Sequence, residues 1–356
     1  MKKIVLTGGG TAGHVTPNIA MFPALKAAGY EILYVGSKKG MEKQMIEKEG
    51  IPYKGISSGK LRRYFDLKNF IDPFKVVHGY FEAKRFLRRE RPDVIFSKGG
   101  FVSVPVVLAA KALKIPAIIH ESDMTPGLAN RIAAKGASYF CCNFPETLEH
   151  LPADKSIVTG TPIRQELLSG SREAGLRFTG LDSNKPNLLI IGGSLGSKFV
   201  NDNVRASLDS LLKDFNVIHL CGKGHLDSSL NNKEGYRQYE FISDELKDLF
   251  AMADIVISRA GANAICELVA LKKPNILIPL GLESSRGDQI LNAKSFEKQG
   301  FSYVIDEHDI TPEVLTNAVL DVYSNRETYI SAMSKSNSGN SISIIVELIE
   351  RLTTNG

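Results

Sequence analysis

A histidine, two glycine loops and a few charged and amide side chains carry the chemistry this chain could do. The first loop, TGGGTAGH at residues 7–14, sets Gly8, Gly10 and Gly13 at the G-x-G-x-x-G spacing, with Gly9 between them. Between a strand and a helix, such a loop turns a row of backbone N–H groups outward, which suits diphosphate oxygens. A dinucleotide site would also want an acidic residue ~20 positions on to hold a ribose. The chain offers Gly36, Ser37, Lys38 and Lys39 there, so an NADP-dependent oxidoreductase stands only as a competing reading. His14 follows the loop directly. An imidazole in that place can accept a proton from a hydroxyl. The plain alternative is a helix-start histidine without chemistry.

The second loop, GGSLGS at 192–197, offers another anion cradle with the Ser194 hydroxyl as an added donor. Two such loops facing one cleft suit a reaction between two phosphorylated substrates. Glu267 follows SRAGAN on the next helix, and we expect it near the N-terminus of that helix. There it could take two hydrogen bonds from a ribose diol, or merely complement the helix dipole. Gln289, in RGDQILNA, would open a later helix, and Arg164 lies between the two halves, placed to pair with phosphate. The sequence has no D-x-D, so no metal held by protein ligands and no required cofactor is expected. Helix N-termini and Arg164 would neutralise a leaving diphosphate. A divalent cation could still stimulate without a protein ligand.

Positioning these residues needs strands that end at the loops. Ile4–Leu6 reads as a strand, residues 14–28 as a helix stopped by Gly29, and Ile32–Val35, Val94–Phe96 and Ala117–Ile119 as further strands. Strands alternating with helices mean α/β with parallel sheets, and continuous apolar strands mean sheets covered on both faces. The pattern restarts at Leu188–Ile191, followed by the second loop and a helix over 198–213. DVIFSKGG (93–100) lies 85 residues after Gly8, and DIVISRAG (254–261) lies 62 after Gly192. We therefore expect two doubly wound, Rossmann-like domains of similar build. The first spans 1–160 plus a C-terminal helix within 340–356, and the second spans 161–339.

The chain has 356 residues, enough for two such cores, with 43% hydrophobic and 23% charged residues, which excludes overall disorder. No apolar run approaches the ~18 residues of a membrane span, and glycines cut MKKIVLTGGG too short for a signal peptide. Cys141, Cys142, Cys221 and Cys266 lack metal-ligand spacing and read as buried thiols. Residues 1–160 carry 24 Lys and Arg against 14 Asp and Glu, whereas the rest carries 20 against 25. The basic half points to an anionic partner. Its centre is residues 60–91, with ten Lys and Arg and the aromatics Tyr64, Phe65, Phe70, Phe74, Tyr80, Phe81 and Phe86. These form either ordinary amphipathic helices with aromatic cores or a basic-aromatic surface for an anionic membrane, and one segment can do both. Nucleic acid is a poor reading, because the aromatics interleave with aliphatics.

Taken in order, TGGGTAGHVTP, SKGGFVSVP, IIHESDMTPGLAN, TGTPIR, IGGSLGS, SRAGANAICE and RGDQILNA resemble the MurG family of N-acetylglucosaminyltransferases, of the GT-B type and glycosyltransferase family 28. The resemblance covers essentially the whole chain. It implies transfer of N-acetylglucosamine from UDP-N-acetylglucosamine to the C4 hydroxyl of undecaprenyl-linked muramoyl pentapeptide (lipid I), with inversion, on the cytoplasmic face of the cell membrane. It also implies site residues. Gly8, Gly9, Gly10 and Gly13 would meet the acceptor diphosphate, and His14 would be the base. Thr11, Ala12, Gly13, Arg164, Ser194, Ile242, Glu267 and Gln289 would meet UDP-N-acetylglucosamine, with Ile242 at the uracil and Glu267 at the ribose. Asp123, Asn201 and Asp288 are further candidate contacts. The chain departs from the family pattern with Ser122 and Asp123 where Gln-Asn is frequent, Phe101 where Tyr is common, Leu195 within the second loop, and Asp288 before the matched Gln289. A glycosyltransferase acting on diacylglycerol and a non-enzymatic UDP-sugar sensor are the remaining competitors.

Overall fold

A computed structural model describes residues 2–59, 72–182, 184–193, 196–282, 287–336 and 338–354. The chain divides into two compact units, Met1–Arg164 with Asn340–Gly356, and Gln165–Gly339. Ser194 and Leu195, and Tyr64, Phe65 and Phe70 of the basic segment, lie outside the described residues.

The first unit runs β1 (Lys2–Thr7), α1 (Ala12–Ala27), β2 (Tyr30–Ser37), α2 (Met41–Lys48), β3 (Tyr53–Ile56), α3 (Asp72–Glu90), β4 (Val94–Ser97), α4 (Ser103–Ala112), β5 (Ala117–Glu121), α5 (Leu128–Ala133), β6 (Tyr139–Cys142) and β7 (Ser156–Val158). The strands form a parallel sheet in the order β3-β2-β1-β4-β5-β6-β7. The order reverses between β1 and β4, and the loops leaving their carboxyl ends diverge there. That is where a doubly wound sheet binds its ligand. Along β1, Ile4 and Leu6 pack beneath α1, while Val5 joins Ala83 and Leu87 of α3 and Val106 of α4. Both faces are thus covered, which is why the strand reads as unbroken apolar sequence.

The second unit runs α6 (Arg172–Thr179), β8 (Asn187–Ile191), α7 (Lys198–Ala206), α8 (Leu208–Asp214), β9 (Asn216–Leu220), β10 (Tyr236–Tyr239), α9 (Leu246–Met252), β11 (Ile255–Ser258), α10 (Ala262–Ala270), β12 (Asn275–Leu277), α11 (Asp288–Lys298), β13 (Tyr303–Val304), α12 (Pro312–Ser324) and α13 (Arg326–Ser334). Its parallel sheet has the order β10-β9-β8-β11-β12-β13. The reversal again falls beside the first strand, so the repeated sequences DVIFS and DIVIS are the corresponding strands β4 and β11. The chain then returns to the first unit as α14 (Ser341–Thr354), whose buried Ile345, Leu348 and Ile349 join the core under α1. Each contributes about 2 kcal/mol of burial.

Two helix boundaries differ from expectation. Helix α1 starts at Ala12, not His14, because Thr11 takes the extended N-cap conformation right after Gly10 at φ +89°. The helix expected over 198–213 is two helices, bent at Ser207, whose hydroxyl donates to the Asn203 carbonyl (2.8 Å). In α3, the aromatics of the basic segment divide between core and surface. Tyr80 and Phe86 pack on the core, while Phe74, Val77 and Phe81 are 76%, 54% and 60% exposed. Among the described residues no helix is long and apolar enough to cross a membrane, and the four cysteines are buried thiols.

Candidate functional site

In the first unit the glycine loop leaves β1 at Thr7 and is held from below. The Asn18 amide donates to the carbonyls of Thr7 and His14 (both 3.3 Å) and to the Tyr34 hydroxyl (3.0 Å), which in turn donates to the Gly8 carbonyl (2.9 Å). Gly8 must be glycine, since a Cβ there would press on the His14 carbonyl. Gly10 must be one because of its positive φ. Thr11 then caps α1, Ala12 and Gly13 form its first turn, and His14 is its third residue.

The His14 ring is fixed by position as well as by sequence. Its Nδ1 lies 3.0 Å from the Thr11 hydroxyl. Burial, reinforced by the charge of Lys98, lowers its pKa to about 4, against smaller opposite effects of the Gly9 backbone and Glu42. Although part of the ring meets solvent, it is neutral at neutral pH and keeps a lone pair for a proton.

Beside the loop lies a buried polar network absent from the expected site residues. The Lys98 ammonium donates to His120 Nδ1 (2.7 Å) and to the Ser122 hydroxyl (2.7 Å). An ammonium has only donors, so His120 carries its proton on Nε2 and donates it to the Gly160 carbonyl (2.8 Å). Burial holds the His120 pKa well below the ordinary histidine value. Glu121 accepts from the backbone N–H groups of Ser122 (2.8 Å), Asp123 (3.1 Å) and Gly127 (2.9 Å) and from Asn130 (2.8 Å). The HESDMTPGLAN motif is therefore a self-bonded turn, and its departure at Ser122 is matched by Lys98. The signal that could have exposed this is the lysine in SKGG, which follows directly on the buried strand β4.

In the second unit, Gly192 and Gly193 follow β8, and Ser197 caps α7 by accepting from Val200 N–H (3.3 Å). Arg259, leaving β11, braces this loop. It donates to the Ser197 hydroxyl (2.8 Å) and to the Ile278 carbonyl (3.1 Å), and pairs with Glu307 at 2.7 Å. Glu307 also accepts from Gly281 N–H (2.8 Å), and Gln289 from Leu280 N–H (3.1 Å). Gln289 and Asp288 open α11. Ile242 is buried in the loop after β10. Glu267 does not sit near the start of its helix: it is the sixth residue of α10, half-buried in the second turn, beyond the reach of the N-terminal dipole.

Two candidates are placed differently from the rest. Asn201 is buried, donating to the Cys221 carbonyl (2.9 Å) and meeting His219 Nε2 through its oxygen (2.9 Å), so its amide joins α7 to β9. Arg164 ends the long segment of the first unit, and its Nε is buried with no hydrogen-bond partner among the described residues.

Comparison with known proteins agrees with this build. Residues 4–139 match the glycosyltransferase family 28 N-terminal domain and residues 187–349 the glycosyltransferase family 28 C-terminal domain. A UDP-N-acetylglucosamine--N-acetylmuramyl-(pentapeptide) pyrophosphoryl-undecaprenol N-acetylglucosamine transferase of Lachnoclostridium phytofermentans is 63% identical over 99% of this chain and 99% of its own. Proteins of the same name from Lachnospira eligens and Clostridium botulinum are 61% and 58% identical, over 98% and 99% of this chain and 99% and 100% of theirs. The crystal structure of Acinetobacter baumannii MurG superposes with a TM-score of 0.76 at 26% identity, covering 99% of this chain and 100% of that one. The chain belongs to the MurG family of N-acetylglucosamine transferases, built from the two domains of glycosyltransferase family 28.

Proposed function

We infer that this chain transfers N-acetylglucosamine from UDP-N-acetylglucosamine to the C4 hydroxyl of the muramyl sugar in the pentapeptide pyrophosphoryl-undecaprenol acceptor, with inversion. The observation that carries this is the identity of 58–63%, end to end, with relatives named for that transfer. In the step itself, His14 takes the proton of the C4 hydroxyl as its oxygen bonds to the anomeric carbon. The bond from that carbon to the diphosphate breaks, and UDP leaves with the electron pair. A resting pKa of about 4 makes His14 a weak base. The acceptor's negative diphosphate, held by the loop of Gly8, Gly9, Gly10 and Gly13, offsets the Lys98 charge and strengthens it.

The remaining assignments follow the same reading. Thr11, Ala12 and Gly13 meet the sugar nucleotide from the first unit. Ser194, Ile242, Glu267 and Gln289 hold it in the second, with Glu267 on the ribose diol. Arg164 brings a guanidinium, its Nε without a partner among the described residues, to phosphate. Asp123 and Asp288 stand as outer contacts, and Asn201 acts by holding α7. Leaving-group charge is met by N–H groups and Arg164, not by a metal on protein ligands. The exposed Phe74, Val77 and Phe81 on α3, beside basic residues, rest on the anionic cytoplasmic leaflet where the lipid-linked acceptor resides.

Transfer of labelled sugar tests the reading. UDP-N-acetylglucosamine, UDP-glucose and UDP-galactose are offered with a short-chain acceptor analogue and with diacylglycerol. Product only from UDP-N-acetylglucosamine on the acceptor analogue is expected. Product on diacylglycerol would overturn the acceptor assignment and leave the transferase class.

A further inference from the structure

We infer that Glu42 is a positioning residue for the acceptor's diphosphate, acting through the first glycine loop; this rests on the acceptor reading above and deepens it. Glu42 is the second residue of α2 and is fully buried. A carboxylate out of water needs its lone pairs satisfied. Glu42 accepts from the Ser37 N–H (2.9 Å), from the Ser37 hydroxyl (2.5 Å), and, 32 residues back in sequence, from the Gly10 N–H (3.4 Å). It thereby joins the end of β2, the start of α2 and the loop. The packing is built around it, since a Cβ on Gly9, Gly36 or Gly40 would run into its side chain. A cavity of about 770 Å³ opens beside it, lined by Gly9, Gly10, Lys38, Lys39 and Phe101 among others.

A loop of consecutive glycines has no side chains to hold its shape, and ordering it on a ligand is costly. An anion cradle therefore binds well only if something fixes its N–H groups beforehand. Asn18 and Tyr34 fix the loop at its carbonyls. Glu42 fixes it at the Gly10 N–H. The charge itself works against a bound anion, so what the carboxylate contributes is geometry: it offers two oxygens to donors on two sides. An amide of the same shape offers one oxygen, and its NH₂ would meet an N–H. Glu42 also favours the protonated form of His14, opposing burial and Lys98.

The test is steady-state kinetics of Glu42→Gln, Glu42→Asp and Ser37→Ala with UDP-N-acetylglucosamine and a soluble short-chain acceptor analogue. Glu42→Gln is expected to raise the acceptor KM by ~10-fold, the cost of one hydrogen bond to a charged group, with the donor KM within about twofold of the parent. Glu42→Asp recovers part of the loss, and Ser37→Ala shifts the acceptor KM the same way by a smaller factor. A merely structural role lowers the folded fraction, and so kcat, with neither KM moved. An acceptor KM that is unchanged or improved in Glu42→Gln, or a donor KM rising in step with it, overturns the inference. Should Glu42→Gln fail to fold, an unchanged acceptor KM in Ser37→Ala overturns it. Failure of the parent chain to use the acceptor at all would instead remove the reading on which it rests.

Discussion

The Thr11 hydroxyl and His14 Nδ1 lie 3.0 Å apart, joining the N-cap of α1 to its third residue. In a capping box those positions hold a hydroxyl and a carboxylate. Here an imidazole stands at the carboxylate's position and meets the hydroxyl itself, and Thr11 makes no side-chain cap hydrogen bond. The contact uses one ring nitrogen for orientation, so the other determines what the ring can do to a substrate.

Removing that ring separates chemistry from binding. His14→Ala should lower kcat by about 10²–10⁴-fold, the usual weight of a general base, while UDP affinity stays within about twofold. Thr11→Val, which leaves the ring but frees it, should cost only about 10-fold in kcat. Calorimetric UDP titration alongside turnover distinguishes the two. Unchanged turnover in His14→Ala would remove the base assignment.

Burial also ties stability to pH. The pKa of His14 is lowered from 6.5 to about 4, that of His219 to about 3, and His120 falls well below 6.5, each first through loss of water around the charged form. Below pH 6.5 the unfolded chain takes up protons that the folded chain refuses. Stability from these groups is therefore full above pH 6.5 and is lost as pH falls toward the folded values. About 2 kcal/mol for each of His14 and His219 should be gone by pH 5, with His120 acting in the same direction. Urea midpoints measured at pH 7.5, 6.5, 5.5 and 5 should fall steadily below 6.5. A flat profile would mean these rings protonate within the fold.

Much of this architecture was legible in the chain because it is local. TGGGTAGH and GGSLGS each follow a short apolar strand, and DVIFS and DIVIS repeat at matching places, which gave two doubly wound sheets and their switch points. What holds the loops was not legible. Glu42 stands in MEKQMIEK among other charged residues, yet it is buried against Gly10. Arg259 and Glu307 are far apart in sequence, and nothing local marks them as a pair. Glu267 was misplaced along its helix because the SRAGAN loop ends earlier than its glycine implied, with Ala262 already helical.

The Arg259–Glu307 pair yields a separate expectation for the second unit. Arg259 is 7% exposed, and its guanidinium reaches the Ser197 cap and the Ile278 carbonyl as well as Glu307. Glu307→Ala leaves that buried charge unpaired and releases Gly281, so it should destabilise the fold by about 3 kcal/mol. Because the brace ends at the second glycine loop, the donor KM should rise while the acceptor KM does not. Urea unfolding followed by kinetics of the folded fraction would show both. A stability change below about 1 kcal/mol would mean the pair behaves as a surface ion pair.

On α3, Phe74, Val77 and Phe81 recur at helical spacing and are exposed, while Ala83 and Leu87 are buried and Tyr80 and Phe86 pack on the core. Lys75, Arg85, Arg88 and Arg89 are exposed on the same helix. Phe74 and Phe81 are mostly exposed, and Phe81 meets Tyr80 edge-on at the surface, so replacing them should leave the fold intact. Phe74→Ser with Phe81→Ser should weaken sedimentation with vesicles containing anionic lipid by about 10-fold or more, given the apolar area withdrawn. The urea midpoint should not move. Charge and insertion act on different variables. Raising salt should weaken the parent's binding through the basic residues, whereas the double variant should bind weakly at every salt concentration. Equal binding of parent and variant, or binding to neutral vesicles as tight as to anionic ones, would remove α3 from the membrane contact.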